Sequence, residues 1–209
     1  MHILYTFLCT AEHTSTSVIA TLLSDDDDGA ARAVLRSLHP VLYTQDDRVF
    51  WYHASFPDFI FDPAQSNFRI GEEAFEFSCP EPAHHNLLSE SCFHVMNSRL
   101  RFNIANIKSS FFLDRDNSTL PDAVKQNIPP ILSYSCRNWD HHVSSVASAN
   151  SNALCETLSN FLQLRVLFWI EAMNLLNSRG LCDQMLKRVR KWVTNVSDIV
   201  TECFMINKW

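Results

Sequence analysis

The sequence predicts a mainly α-helical protein with one small β-hairpin near its N-terminus. Apolar stripes at helical spacing recur through most of the chain, and two short β-rich runs flank a polar turn. The chain has 209 residues, of which 46% are hydrophobic, so it can bury a sizeable core. It has only 3 glycines, which disfavours both a turn-dense all-β fold and a glycine-rich phosphate loop.

The first segment of the chain predicts three successive helices. Apolar residues at helical spacing begin at Ile3, a second helix runs from Ser15 or Thr16 to Leu23, and a third covers about Ala30 to Leu38. The acidic run Asp25–Asp28 before the third helix is predicted to be a solvated loop. Its last carboxylate is placed to cap that helix.

A β-hairpin follows, because the runs VLYT and RVFWYH are separated by the turn sequence QDD. After it, Ser55 is placed to cap a short helix that has Pro57 in its first turn. Three helices followed by a hairpin is the order of a winged-helix domain. We therefore predict a winged-helix domain over residues 1–62.

The rest of the chain predicts a connector and then a helical bundle. Residues 63–80 read as an irregular or partly extended connector, and residues 81–209 as the bundle domain. The predicted bundle helices are about Pro82–Leu100, Asp122–Ala147, Ala153–Asn177 and Cys182–Phe204. The last of them carries an apolar seam that needs a surface to cover it, formed by Leu186, Val189, Val193, Val196, Val200 and Cys203.

Composition favours a cytoplasmic protein that binds neither membrane nor nucleic acid. The chain has 7 cysteines and no CxxC pair, which is typical of buried thiols in a reducing compartment. The strongest apolar run, residues 161–176, contains Arg165 and Glu171 and is therefore predicted to be a core helix. The net charge of -6 disfavours nucleic-acid binding, and a reader helix with only Arg32 and Arg36 would follow four aspartates.

Most clusters of reactive side chains have a structural explanation. The set Cys79, His84, His85, Cys92 and His94 lacks the paired spacing of a zinc site, so no metal is predicted. The sequence has no GxSxG motif, and no catalytic residue is predicted.

Two clusters of polar and charged residues on the later helices are likewise predicted to face solvent. Asp140, His141 and His142 are predicted to lie at a solvated helix end. The basic residues Lys187, Arg188, Arg190 and Lys191 are predicted to form the polar face of the last helix.

The strongest candidate for a binding residue is His53, which stands between the hairpin and the short helix that follows it. The spacing alone also fits a half-buried histidine hydrogen-bonded to the backbone. Asp58, in that short helix, is assigned a structural role.

Five separated blocks of the chain resemble the region downstream of the nucleotide-binding core in NACHT-family signalling NTPases of the STAND type. The wider pattern resembles a basidiomycete group in which a NACHT domain is followed by this region and then by WD repeats. The blocks are FLCTAEHTSTSVIATLL, LHPVLYTQDDRVFWYHASFPDFIFD, SCFHVMNSRLRFNI, YSCRNWDHHV and FLQLRVLFWIEAMNLL.

The resemblance implies a role for His53 in sensing nucleotide phosphate. In the family, the histidine of the winged helix contacts the β-phosphate of ADP and holds the protein closed, and by position this is His53. A bound diphosphate then ties the winged helix to the nucleotide core, and a triphosphate can break that tie. The implied biology is fungal innate immunity or self/non-self signalling.

The chain departs from the family because it has no Walker A sequence GxxxxGK[ST] and no Walker B strand. By itself, the chain is therefore expected not to be an enzyme and not to need a cofactor. ADP or ATP with Mg²⁺ would enter only with a NACHT core in cis or in trans.

The expectation from the resemblance is a regulatory and scaffolding fragment that couples a NACHT core to a sensor region such as WD repeats. One alternative is a stand-alone helical interaction module that self-associates through its last helix. The other is a winged-helix nucleic-acid binder.

Overall fold

The computed structural model describes residues 1–23, 28–70, 72–108, 117–147 and 151–197. Their regular structure is mainly α-helical with two small antiparallel hairpins, which confirms that the fold is mainly α. Residue contacts divide the chain into two compact units, Met1–Leu88 and Ser89–Trp209. The division falls inside a helix, and the predicted domains 1–62 and 81–209 stay predictions.

The first unit has the predicted order of three helices and a hairpin, followed by a short helix and a second hairpin. Its elements are α1 (His2–Cys9), α2 (Thr16–Leu22), α3 (Gly29–Ser37), β1 (Leu42–Gln45), β2 (Arg48–Trp51), α4 (Ser55–Phe61), α5 (Pro63–Ser66), β3 (Asn67–Ile70) and β4 (Glu73–Glu76). The long helix α6 (Glu81–Arg99) runs from the first unit into the second.

The core of the first unit is built from the three helices and the first hairpin. Phe7, Ile19, Ala31 and Val49 are buried together, one from each of α1, α2, α3 and β2. The start of α2 is fixed by Ser15, whose Oγ accepts a hydrogen bond from the N–H of Val18 at 3.3 Å.

Asp28 lies just before α3 but does not cap it, so that prediction is wrong. Its carboxylate instead accepts hydrogen bonds from Arg32 at 2.8 Å and from Thr16 Oγ1 at 2.9 Å. The bond from Arg32 lowers the pKa of this carboxyl below its usual value. The rest of the acidic run, residues 25–27, lies outside the described residues.

The first hairpin closes through a two-residue turn. Gln45 pairs with Arg48, so Gln45 belongs to β1 and not to the turn as predicted. Asp46 and Asp47 form the turn with φ values of 50° and 60°. Aspartate tolerates this left-handed conformation better than most residues, and a turn of this hand suits the twist of paired strands.

The segment predicted as an irregular connector, residues 63–80, is more regular than expected. Asp62 caps α5 by accepting a hydrogen bond from the N–H of Ala64 at 2.9 Å, and Pro63 occupies the first helical position. The second hairpin follows, and the end of the segment is held in the first unit. There the Tyr5 hydroxyl donates to the carbonyl of Ser78 at 3.1 Å, and the N–H of Cys79 to the carbonyl of Ile60 at 2.9 Å.

The second unit consists of helices, and two of the predicted long helices are broken. Its elements after α6 are α7 (Leu120–Asn127), α8 (Pro130–Ser145), α9 (Ser151–Leu164), α10 (Val166–Leu175), a short 3₁₀ turn (Arg179–Leu181) and α11 (Cys182–Ser197). Pro129 and Pro130 separate α7 from α8, since proline lacks an N–H and forces the residue before it out of the helical region. Arg165 separates α9 from α10, and its guanidinium bonds the carbonyl of Leu100 at 3.2 Å.

Four aromatic side chains form the centre of the second unit. Trp139 contacts Phe93, Phe161 and Trp169, with ring centroids between 5.4 and 5.7 Å apart. Trp169 also donates from Nε1 to the carbonyl of Cys136 at 2.8 Å. Edge-on and tilted aromatic pairs of this kind stabilise a core beyond the area that they bury.

The apolar seam of the last helix is covered along the part that is described. Val189, Val193 and Val196 are buried, and α11 packs against α8. Trp192 joins the two helices by donating from Nε1 to the carbonyl of Val146 at 3.0 Å. Leu186 is half-buried, and the last two seam residues, Val200 and Cys203, lie outside the described residues. Self-association through this helix stays a prediction, and within Cys182–Ser197 the surface that covers the seam is α8.

Candidate functional site

His53 lies at the junction that the sequence singled out, two residues after β2 and two residues before the start of α4. Its side chain is exposed, in contrast to the half-buried alternative. Its Nδ1 accepts a hydrogen bond from the N–H of Ser55 at 3.1 Å and lies 2.7 Å from the hydroxyl oxygen of Ser55. The ring is therefore bonded to the backbone although it faces solvent.

These two contacts determine which nitrogen of His53 carries the proton. A backbone N–H can only donate, so Nδ1 must offer its lone pair to the N–H of Ser55. The hydroxyl of Ser55 donates to the same nitrogen. In the neutral ring the proton then lies on Nε2, which is a hydrogen-bond donor with no bond assigned to it within the described residues.

The same contacts show that His53, and not Ser55, caps α4. Ser55 is the first residue of the helix, and Ala54 occupies the cap position. The methyl side chain of Ala54 has no atom that can accept a hydrogen bond. The N–H of Ser55 is one of the orphan donors at the start of a helix, and the imidazole satisfies it. The prediction that Ser55 caps the helix is therefore wrong. Asp58 is exposed in the first turn of α4, and its structural role stays a prediction.

His53 lines an open cleft of about 450 Å³ on the surface of the first unit. The cleft combines apolar walls with a few polar groups, and therefore suits a ligand or protein segment that has both apolar and polar surface. Tyr52 is 64% exposed, and its ring lies against that of Tyr43 with centroids 4.8 Å apart. The other lining residues are Pro40, Val41, Ser55, Phe56, Phe59 and Gln65.

A second groove lies between α3 and the first hairpin, where a winged helix would read nucleic acid. It has a volume of about 790 Å³ and includes Arg32, Arg36 and His39 among its lining residues. Asp46 and Asp47 line the same groove, and Asp28 already holds Arg32. This mixture of charges does not favour a phosphate backbone, which agrees with the net charge of -6.

Two of the residues considered for zinc, Cys79 and His84, have other partners in the first unit. Cys79 Sγ lies 3.9 Å from Cys9 Sγ, and both thiols are buried. His84 Nε2 lies 2.8 Å from Thr6 Oγ1. Thr6 donates its own hydroxyl hydrogen to the carbonyl of His2 at 3.0 Å, so it accepts from His84. His84 is thus a buried neutral histidine, and desolvation lowers its pKa to about 4.

Asp140 and His142 are buried, which contradicts the predicted solvated helix end. His142 Nε2 lies 2.8 Å from the hydroxyl of Tyr134, and Asp140 is 1% exposed. Arg188 donates to Asp140 Oδ2 at 2.7 Å and so connects α11 to α8. Burial raises the pKa of Asp140, although the charge of Arg188 opposes the rise. Arg188 is therefore a structural cation and not only part of a polar face.

Replacing Arg188 with methionine should lower the free energy of unfolding of the second unit by about 2 kcal/mol, because the buried carboxylate of Asp140 would lose its counter-charge. The matched control is Lys187→Met, whose ion pair with Asp183 is solvent-exposed and should be worth less than about 0.5 kcal/mol. Urea unfolding followed by far-UV circular dichroism measures both. Equal losses of unfolding free energy for the two variants would show that the buried ion pair stabilises the protein no more than the exposed one.

Sequence reasoning located His53 but missed what holds it. The signal that could have found the cap is the serine two residues after the histidine, at the start of a short helix. The buried hydrogen bond between Thr6 and His84 was also missed. Among the described residues, no helix combines the length and apolar character needed to cross a membrane.

No protein-family profile and no solved structure matches this chain. The chain is similar to the vegetative incompatibility protein HET-E-1 of Podospora anserina, with 26% identity over 166 residues. The match covers 73% of this chain and 12% of that protein, so the chain spans a small part of its length. This distant similarity supports the NACHT-family relationship that the five sequence blocks predicted.

Proposed function

We propose that this chain is a regulatory and scaffolding region of a NACHT-type signal-transducing NTPase. In the resting state, His53 donates a hydrogen bond from Nε2 to the β-phosphate of ADP held by a NACHT core in cis or in trans. The observation that carries this proposal is the pair of bonds from Ser55 to Nδ1, which leaves the Nε2–H as an exposed donor. The similarity to a vegetative incompatibility protein supports a role in self/non-self signalling.

The chemistry of the site fits a contact with phosphate. A neutral imidazole N–H bonds to a phosphate oxygen through a short, charge-assisted hydrogen bond. The contact depends on distance, so it distinguishes a β-phosphate in place from one displaced by a triphosphate. The first unit then has two states, docked and undocked, and the nucleotide biases their populations. Alone, the chain would neither hydrolyse nucleotide nor need a cofactor.

Two substitutions at His53 separate the phosphate contact from the capping role. Glutamine places an amide N–H near the position of Nε2 and loses the capping acceptor, whereas asparagine keeps an acceptor near Nδ1 and loses the distal donor. We expect His53→Asn to weaken the ADP-dependent association with a NACHT core by about tenfold or more, the worth of one hydrogen bond to a charged group. His53→Gln should stay within about threefold of the native chain.

The measurement is isothermal titration of the full chain with an isolated NACHT domain that is loaded with ADP or with a non-hydrolysable triphosphate. His39→Ala removes another exposed histidine of the first unit and serves as the control. If binding of the native chain does not depend on the nucleotide, the proposal fails. It also fails if His53→Asn binds normally while His53→Gln does not, since that pattern belongs to a purely structural cap.

A further inference from the structure

An exposed histidine needs something to hold its ring, because the torsion between Cβ and the ring has broad minima. In this chain Ser55 supplies that restraint. It is the first residue of α4, so the helix fixes the position of its backbone, and the Pro57 ring restricts the first turn. Its N–H and its hydroxyl then converge on one nitrogen of His53, at 3.1 and 2.7 Å.

We propose that Ser55 is the positioning residue of the site: its hydroxyl and its N–H hold Nδ1 of His53 as an acceptor, so that the Nε2–H faces the phosphate. The proposal rests on the proposed function for its ligand, a nucleoside diphosphate, but its geometry stands on Ser55 and His53 alone. Ser55 is not assigned any contact with the ligand. It acts through the ring by selecting one tautomer and one orientation.

Of the two groups that hold His53, the hydroxyl is the one that depends on the identity of residue 55. Every residue except proline would supply the backbone N–H, but only serine or threonine adds a hydroxyl that can donate to Nδ1 from the same position. Without the hydroxyl, the ring keeps one bond at 3.1 Å and loses the shorter one at 2.7 Å. The ring can then rotate away or exchange its proton between the two nitrogens, and fewer molecules present an Nε2–H at the phosphate.

The first test reads the tautomer in the full chain without any nucleotide. The ¹⁵N chemical shifts of the His53 ring distinguish a nitrogen that carries hydrogen from one that accepts it. In its neutral form, the ring of the native chain should show a hydrogen-bearing Nε2 and an acceptor Nδ1. Ser55→Ala should move both shifts toward the average of the two tautomers, and Ser55→Thr should restore them. Unchanged shifts in Ser55→Ala would overturn the proposal.

The second test measures the association with an ADP-loaded NACHT domain. Ser55→Ala should weaken it about fivefold, the worth of one ordinary hydrogen bond, and Ser55→Thr should recover it. Ser37→Ala is the matched control, because the hydroxyl of Ser37 is exposed on α3 and donates locally, to the carbonyl of Ala33. Normal binding by Ser55→Ala would overturn the functional role of the residue even if the shifts move.

The two tests also separate this proposal from the proposed function. If the native chain shows the expected tautomer, and Ser55→Ala disturbs it, Ser55 positions His53. If the same native chain then shows no nucleotide-dependent association, the phosphate-sensing function is refuted while the positioning of the ring by Ser55 is upheld.

Discussion

Replacing Trp169 with alanine should lower the free energy of unfolding of the second unit by about 4 kcal/mol, in the middle of the range for large aromatic side chains in a core. Trp169 is fully buried and contacts Trp139 and Phe161, at centroid distances of 5.7 and 6.3 Å. The substitution therefore leaves a cavity where aromatic rings met. It also removes the donor to the carbonyl of Cys136.

The control for this prediction is Trp169→Phe, which keeps an aromatic ring in the core and removes the N–H. We expect a loss of about 2 kcal/mol for it, from the smaller ring and the missing hydrogen bond. Urea unfolding followed by near-ultraviolet circular dichroism reports directly on the packed aromatic cluster. If Trp169→Ala cost less than Trp169→Phe, or less than about 1 kcal/mol, Trp169 would not be at the centre of the core.

The positions of most helices in this fold were readable from the sequence because their apolar stripes have to be buried. The stripe through Val189, Val193 and Val196 predicted α11 correctly, as did the helical spacing at the start of α1. The breaks were harder to place. Pro129 and Pro130 carried the signal for the break between α7 and α8, but the stripe continues across them and suggested one helix.

The break at Arg165 could not be predicted from local sequence. The residues around it are good helix formers, and what distinguishes the position is a hydrogen bond to the carbonyl of Leu100, distant in the chain. The burial of Asp140 was missed for a similar reason. An aspartate beside two histidines reads as solvated until the helix carrying Arg188 is placed against it.

At the candidate site, too, some features could be read from the nearby sequence and others depended on the folded backbone. His53 was located by its place between the hairpin and α4 and by the resemblance of that block to a family. Its tautomer follows from two hydrogen bonds to a residue only two positions away. A serine at that spacing was visible in the sequence, but whether it or the histidine would cap the helix depended on the backbone angles of Ala54.

The stability of the first unit should fall as the pH is lowered from about 6.5 to about 4, and His84 is the reason. Burial, and secondly the nearby His2, lower the pKa of His84 to about 4 from an ordinary value of 6.5. The unfolded chain therefore binds a proton to this residue across an interval in which the folded chain does not. The contribution is fully present above pH 6.5 and is lost progressively down to pH 4, by about 3 kcal/mol in total.

A variant that cannot titrate isolates this effect. His84→Gln keeps an N–H that can donate to Thr6 Oγ1, so the buried hydrogen bond is retained while the ionisation is removed. The difference in unfolding free energy between the native chain and His84→Gln should therefore depend on pH between 4 and 6.5 and be constant above that interval. Urea unfolding followed by the amide signals of α1 confines the measurement to the first unit. Other groups, including Asp140 with its raised pKa, cancel in this difference.

A difference that stays flat across the interval would mean that His84 is protonated in the folded chain as easily as in the unfolded one. The buried bond to Thr6 would then have to be reassigned, because desolvation could not be what governs the residue.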